Sequence, residues 1–315
     1  MEASNTSILA RLNSSNVDDR RVALTEVDEI LEVASLRDLL PLLTDEDATV
    51  RKLTIQLLEE LGDYRALPDL LKAAGDADAD VAAAAATAIR EFRTPEALNA
   101  LVGGVTHGTS KTRQAAVVAL RGVQDKHVQE LLVKTAADPI PGVRREAVLA
   151  LGYLKAPETL PAFCSALDDQ DEEVRRLAVD ALSQFDGAEV SNLIRAVKDP
   201  AWRVRRQAVI GLSNFRSEQA EQILIAALDD DQWEVVKEAI VSLGRLRTPI
   251  FRPLARFFTH PLADIRMAAA AAAGEIAEPE FKPYLEASLQ DPDTGVQKGA
   301  RRALSQIEKP EIPQT

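Results

Sequence analysis

Apolar and polar positions recur in this chain on a fixed period. The stretch Asp138 to Leu154, DPIPGVRREAVLALGYL, reads as a helix with Val143, Ala147, Leu151 and Leu154 on one face, the spacing of a buried stripe. Versions of it return from one end of the chain to the other. Anchoring each on the residue taken to open its helix gives Asp19, Val50, Val81, Thr112, Val143, Val174, Val204, Val235, Ile265 and Val296, in steps of 30 or 31 residues. Ten units at so constant a period predict stacked helix pairs: an all-α array over residues 1–307, with a non-periodic tail at 308–315 expected to be disordered.

Each unit predicts two helices. The first, as in Pro157 to Leu167, opens on Pro or a small polar residue. The second follows an Asp-rich turn such as DED at 45–47 or DDD at 229–231, where carboxylates accept backbone N–H bonds and oppose the helix dipole. Four residues after each anchor stands a small side chain, Ala in nine units and Thr54 in the other. That column predicts close helix packing.

Composition agrees. Aromatics are 4% of the residues against 46% hydrophobic overall, so the core is expected to be Leu, Val, Ile and Ala. The net charge of −13 opposes nucleic acid and anionic membranes as partners. The N-terminus has no signal-peptide pattern and no apolar run reaches eighteen residues, which predicts a cytoplasmic protein. The single cysteine, Cys164, excludes a disulfide framework.

The segments DPIPGVRREAVLALG, DQDEEVRRLAVDALS and DPAWRVRRQAVIGLS resemble the short HEAT-like repeats named after phycobilisome lyases. The resemblance covers about Ser4 to Ile307. It implies an α-solenoid of about ten 31-residue helix pairs wound as a right-handed superhelix. It also implies that the arginines after each anchor, including Arg20, Arg51, Arg113, Arg144, Arg175, Arg205 and Arg266, bridge to loop aspartates between units. Ala82, Val236 and Gln297 interrupt that ladder. The resemblance brings in two catalytic relatives. Deoxyhypusine hydroxylases hold iron through His-Glu dipeptides, whereas the histidines here precede Gly108, Val128 and Pro261. Bilin lyase-like or cofactor-maturation activity, with a bilin as cofactor, stays open as the alternative.

Cys164 aligns with Leu40, Leu71, Val102, Val133, Ile194 and Ile225 and is expected to be a core thiol. His107 and His260 replace the loop Asp five residues before the anchor and are expected at exposed turns. Trp202 and Trp233 occupy one position in adjacent units, so their rings are expected close together on an edge, either stapling the first turn or forming a contact pair. The sixth residue after each anchor lies opposite the core face on a helical wheel. There, Val118, Leu149, Ile210 and Val241 are aliphatic, with Tyr153 on the adjacent tenth position. They form either an apolar contact strip or a column covered by inter-helix packing. Glu29, Glu60 and Glu91 make an acidic row at the tenth position in the first three units. The reading is a non-catalytic scaffold, with no cofactor of its own, for a client protein of apolar and basic contact surface. Its oligomeric state is left open, and an anion surface on the arginine rows is a further option.

Overall fold

A computed structural model describes residues 8–185 and 190–308. Among them are helices and no strand, as the periodicity requires. The second helices of the ten repeats are α1 (Val17–Thr25), α2 (Ala48–Leu61), α3 (Ala79–Glu91), α4 (Ser110–Ala119), α5 (Pro141–Leu154), α6 (Glu172–Ser183), α7 (Trp202–Leu212), α8 (Trp233–Leu246), α9 (Ala263–Ile276) and α10 (Thr294–Ile307). The chain forms two compact units, Met1–Thr159 and Leu160–Thr315. The first carries α1–α5 and the second α6–α10. The tail at 309–315 lies outside the described residues, as do the first residues of the array.

Every second helix begins two residues before its anchor, so the anchor is the third helical residue. In six of them a side-chain cap fixes that start. Asn16, Asp47, Asp78, Asp171 and Asp293, three residues before their anchors, accept first-turn N–H groups, and Thr109 does so through its hydroxyl. Ile140, Ala201, Gln232 and Leu262 hold the same place without a side-chain cap. The small column is fully buried in all ten repeats, from Ala23 through Thr54 to Ala300; Thr54 satisfies its hydroxyl on the Val50 carbonyl at 2.8 Å. The first helices contribute Leu39, Leu70, Leu101, Leu132, Phe163 and Leu193, each with no exposed surface.

That last column corrects the expectation for Cys164. The thiol stands one residue past the core column and is half-buried, like Leu40, Val102, Ile194 and Ile225, while Val133 is exposed and Leu71 buried. Several first helices open or close on a 3-10 turn, such as Pro157–Thr159 before Leu160–Ala166. Among the described residues, Val133 and Ile194 stand off the core in helices without such a turn, so in every case it is the preceding column, Leu39 to Leu193, that faces the core, and the Cys164 column flanks it.

Within each unit the repeats are tied by arginine clamps. Arg51 donates from Nε and Nη2 to both carboxylate oxygens of Asp76 at 2.8 Å each, and from Nη1 to the Asp45 carbonyl at 2.8 Å. Arg20–Asp45, Arg113–Asp138, Arg175–Asp199, Arg205–Asp230 and Arg266–Asp291 repeat this arrangement. Gln297 keeps the inward half alone, donating to the Asp291 carbonyl at 2.7 Å.

The clamps and the neighbouring Arg21–Asp47 ion pair make stability acid-sensitive. Arg21 and the Val50 N–H hold Asp47 down from 3.8 to about 2. Asp76 and Asp291 lie below the ordinary range because Arg51 and Arg266 bond their charged forms. A carboxylate whose folded pKa is depressed stabilises the fold above its unfolded pKa and loses that contribution as pH falls through the folded value. Thermal unfolding followed by circular dichroism is therefore expected to give a melting temperature that drops steeply from about pH 4 to about pH 2. Arg21→Gln should flatten part of that drop.

Candidate functional surface

The sixth position lies off the core, yet its aliphatics are not fully open to water. Val118 and Leu149 in the first compact unit and Ile210 and Val241 in the second are each half-buried. Second helices of successive repeats pack side by side, α6 on α7 and α8 on α9 among them, so a residue opposite the core still faces a neighbour's flank. The same position is exposed at Thr25, Gln56 and Thr87.

In the first unit the structure brings Val118 on α4 and Leu149 and Tyr153 on α5 onto adjoining helices. Tyr153 is 62% exposed. The Arg121 guanidinium sits over its ring, 5.3 Å from the centroid, and Nη2 donates to Glu146 at 2.6 Å. This cation–π contact holds a large aromatic in water beside two partly open aliphatics. Glu60 on α2 and Glu91 at the end of α3 are exposed carboxylates. Glu29 is exposed as well, but on the short helix Val27–Val33 that follows α1, because Glu26 ends α1 early. Glu26 is drawn off to an ion pair with Arg11.

In the second unit Trp202 and Trp233 are the first residues of α7 and α8, inside the helices rather than before them, so neither occupies the staple position. Trp233 is 39% exposed and Trp202 half-buried. Each ring is covered by a cation of its own helix, Arg203 at 4.8 Å and Lys237 at 5.9 Å. Among the ring contacts of the described residues none joins the two indoles. Asp180, which interrupts the aliphatic column, accepts from Gln207 Nε2 at 2.8 Å.

The histidines differ from each other. His107 is the exposed last residue of helix Pro95–His107. His260 is half-buried, and its Nδ1 accepts the Leu262 N–H at 3.1 Å, the bond that Asp138 and Asp199 make to Ile140 and Ala201. The imidazole thus keeps the turn but not the clamp. Among the described residues no three His, Cys, Asp or Glu side chains are grouped to hold a metal ion, and no helix is long and apolar enough to cross a membrane.

Sequence reasoning also missed a pairing between columns. Wherever a clamp arginine is missing inside a unit, the aspartate it would meet in the next repeat is missing too: Ala82 goes with His107, and Val236 with His260. The signal was present as a spacing of 24 or 25 residues from each Arg to its Asp.

The HEAT-repeat profile matches residues 6–82, 36–121, 128–196 and 190–256. No curated protein sequence matches the chain. Among solved structures, Kap95p is similar at 17% identity and a TM-score of 0.63, covering 98% of this chain and 50% of that one. Importin beta is similar at 18% identity and a TM-score of 0.62, covering 96% and 50%. YibA of E. coli is similar at 17% identity and a TM-score of 0.52, covering 91% and 96%. This chain spans about half the length of the two karyopherins, and at these identities the likeness is one of fold.

Proposed function

This chain belongs to the HEAT-repeat family, and we propose that it works as a non-catalytic scaffold that holds a client protein on the exposed face of its second helices. The observation that carries the reading is Tyr153, an aromatic largely in water, flanked by Val118 and Leu149 and reached along the same face past Glu60 and Glu91. Tyr and Arg are among the side chains that most often dominate the energetics of protein interfaces. The client that fits has an apolar segment over α4 and α5 and basic residues over α2 and α3, with the carboxylates setting orientation and association rate. Kap95p, similar in fold, binds RanGDP; that precedent supports a protein as the occupant. In the second compact unit Ile210 and Val241, with Trp202 and Trp233, supply a contact set of their own.

The test is capture from extracts of the native host by the wild-type chain, by Tyr153→Ser and by Glu60→Lys/Glu91→Lys, followed by binding kinetics with the retained protein. Tyr153→Ser is expected to weaken affinity on the order of 30-fold. The charge reversal should slow association, with a smaller effect at high salt. All three side chains are exposed, so unfolding should shift by no more than about 0.5 kcal/mol. Retention of the same proteins by all three chains would rule the reading out.

A further inference from the structure

In the first compact unit, clamps join repeats 1 and 2 (Arg20–Asp45), 2 and 3 (Arg51–Asp76), and 4 and 5 (Arg113–Asp138). Repeats 3 and 4 have Ala82 and His107 in those places. Both partners are gone together, as physics requires: a largely buried guanidinium or carboxylate left alone is worse than neither. The second unit has the same paired loss at Val236 and His260.

The two clampless junctions differ in what remains. In the second unit the ninth residue after the anchor is small at Ser183, Gly244 and Gly274, and it meets a small residue of the next repeat. A Cβ on Gly211 would lie 2.7 Å from Ser183 Cβ, and one on Gly244 would lie 2.9 Å from the Ala272 Cα. Repeats 8 and 9 are therefore closed by backbone approach, with Lys237 reaching Asp264 at 3.5 Å besides.

Repeats 3 and 4 have no such contact. The ninth position of repeat 3 is Arg90, an exposed long side chain. The hydrogen bonds across the junction come from flexible cations to carbonyls: Arg93 Nη1 to Ala119 at 3.2 Å and Lys111 Nζ to Gly75 at 2.8 Å. Helix Pro95–His107 contains two adjacent glycines, which weaken a helix. A Cβ on Gly104 would lie 2.7 Å from Leu71 Cδ1, so packing holds that one, while a Cβ on Gly103 would have no heavy atom within 4 Å.

We propose that this junction is a hinge, at which repeats 1–3 and repeats 4–5 of the first compact unit rock against each other about the Gly104–Leu71 contact. Its location gives it a role that rests on the client reading above: the acidic row at 29, 60 and 91 lies on one side, and Val118, Leu149 and Tyr153 lie on the other. The hinge lets the basic and apolar parts of a client be met at more than one spacing.

Amide hydrogen exchange on the full chain, without client, tests the hinge separately from that reading. In the wild type, protected amides of residues 98–119 should exchange at least tenfold faster than those of residues 51–58, beside the Arg51–Asp76 clamp. Ala82→Arg/His107→Asp should rebuild the clamp and slow the former at least tenfold, while each single change leaves them as fast or faster. Val236→Arg/His260→Asp should change exchange less than threefold, its junction being closed already. If the rebuilt chain does not fold, spin labels on the Cys164→Ser background decide. A pair at Glu60 and Glu130 should show a broader distance distribution than a pair at Glu29 and Thr87. Equal protection on both sides in the wild type, or equally narrow distributions, would overturn the hinge.

Discussion

Arg113→Ala is expected to destabilise the first compact unit by about 3 kcal/mol, the usual cost of leaving one partner of a buried ion pair behind. Arg113 donates to Asp138 from Nε at 2.7 Å and Nη2 at 2.9 Å, and its Nη1 reaches the Gly108 carbonyl at 3.0 Å. Four-fifths or more of each side chain is out of water. Without the guanidinium, Asp138 keeps the Ile140 N–H and the charge of Arg144, but loses both hydrogen bonds to its carboxylate from a cation in the preceding repeat. The double variant Arg113→Ala/Asp138→His copies the pair that stands naturally at Ala82 and His107. It should recover at least half of the loss, because the stranded charge is gone. Denaturant unfolding followed by circular dichroism measures both. A double variant as unstable as the sum of its two singles would mean that the in-register losses carry no energetic logic.

Glycine substitutions should split in sign. Gly244→Ala places a methyl 2.9 Å from both Cα and Cβ of Ala272. Backbone cannot move aside as a side-chain tip can, so a loss of about 1–3 kcal/mol is expected, typical of overpacking. Gly103→Ala meets open space within a helix and should gain about 0.5–1 kcal/mol, by restricting the unfolded chain and improving helix propensity. Thermal unfolding of the two variants against wild type decides. A Gly244→Ala chain as stable as wild type would show that α8 and α9 can separate freely, and the contrast drawn between the two clampless junctions would fall with it.

How much was legible varies from residue to residue. The small column at Ala23, Thr54 and Ala85 was readable because a constant period leaves one geometry for it: helices as close as these admit nothing larger. The arginine and aspartate columns were readable separately, while their joint absence at Ala82 and His107 was overlooked. The place of Cys164 was not legible because two adjacent columns of the first helices are both largely apolar, Leu39 to Leu193 and Leu40 to Ile225, and residue type alone does not say which of them faces the core. Periodicity alone puts Trp202 and Trp233 before their helices, because the anchor is the first residue that repeats as apolar and not the first that is helical. Their helices start two residues earlier, after turns in which Asp199 and Asp230 accept the Ala201 and Gln232 N–H groups, and with that start come the cations that cover each ring.

The candidate surface was half legible. A wheel drawn for one helix assigns Leu149 and Ile210 to the side away from the core, and that much is a property of the helix alone. Whether such a side chain meets water depends on the next repeat's helix, which no single-helix projection contains. The chain alone therefore determined the repeat, the helix pairs and the buried columns, because these follow from local periodicity. Only packing between repeats decided the half-buried state of the aliphatics, the Tyr153 ring beneath Arg121 and which junctions are closed. Those depend on distances between helices thirty residues apart in the chain, and each is settled by side-chain size and charge on both sides at once.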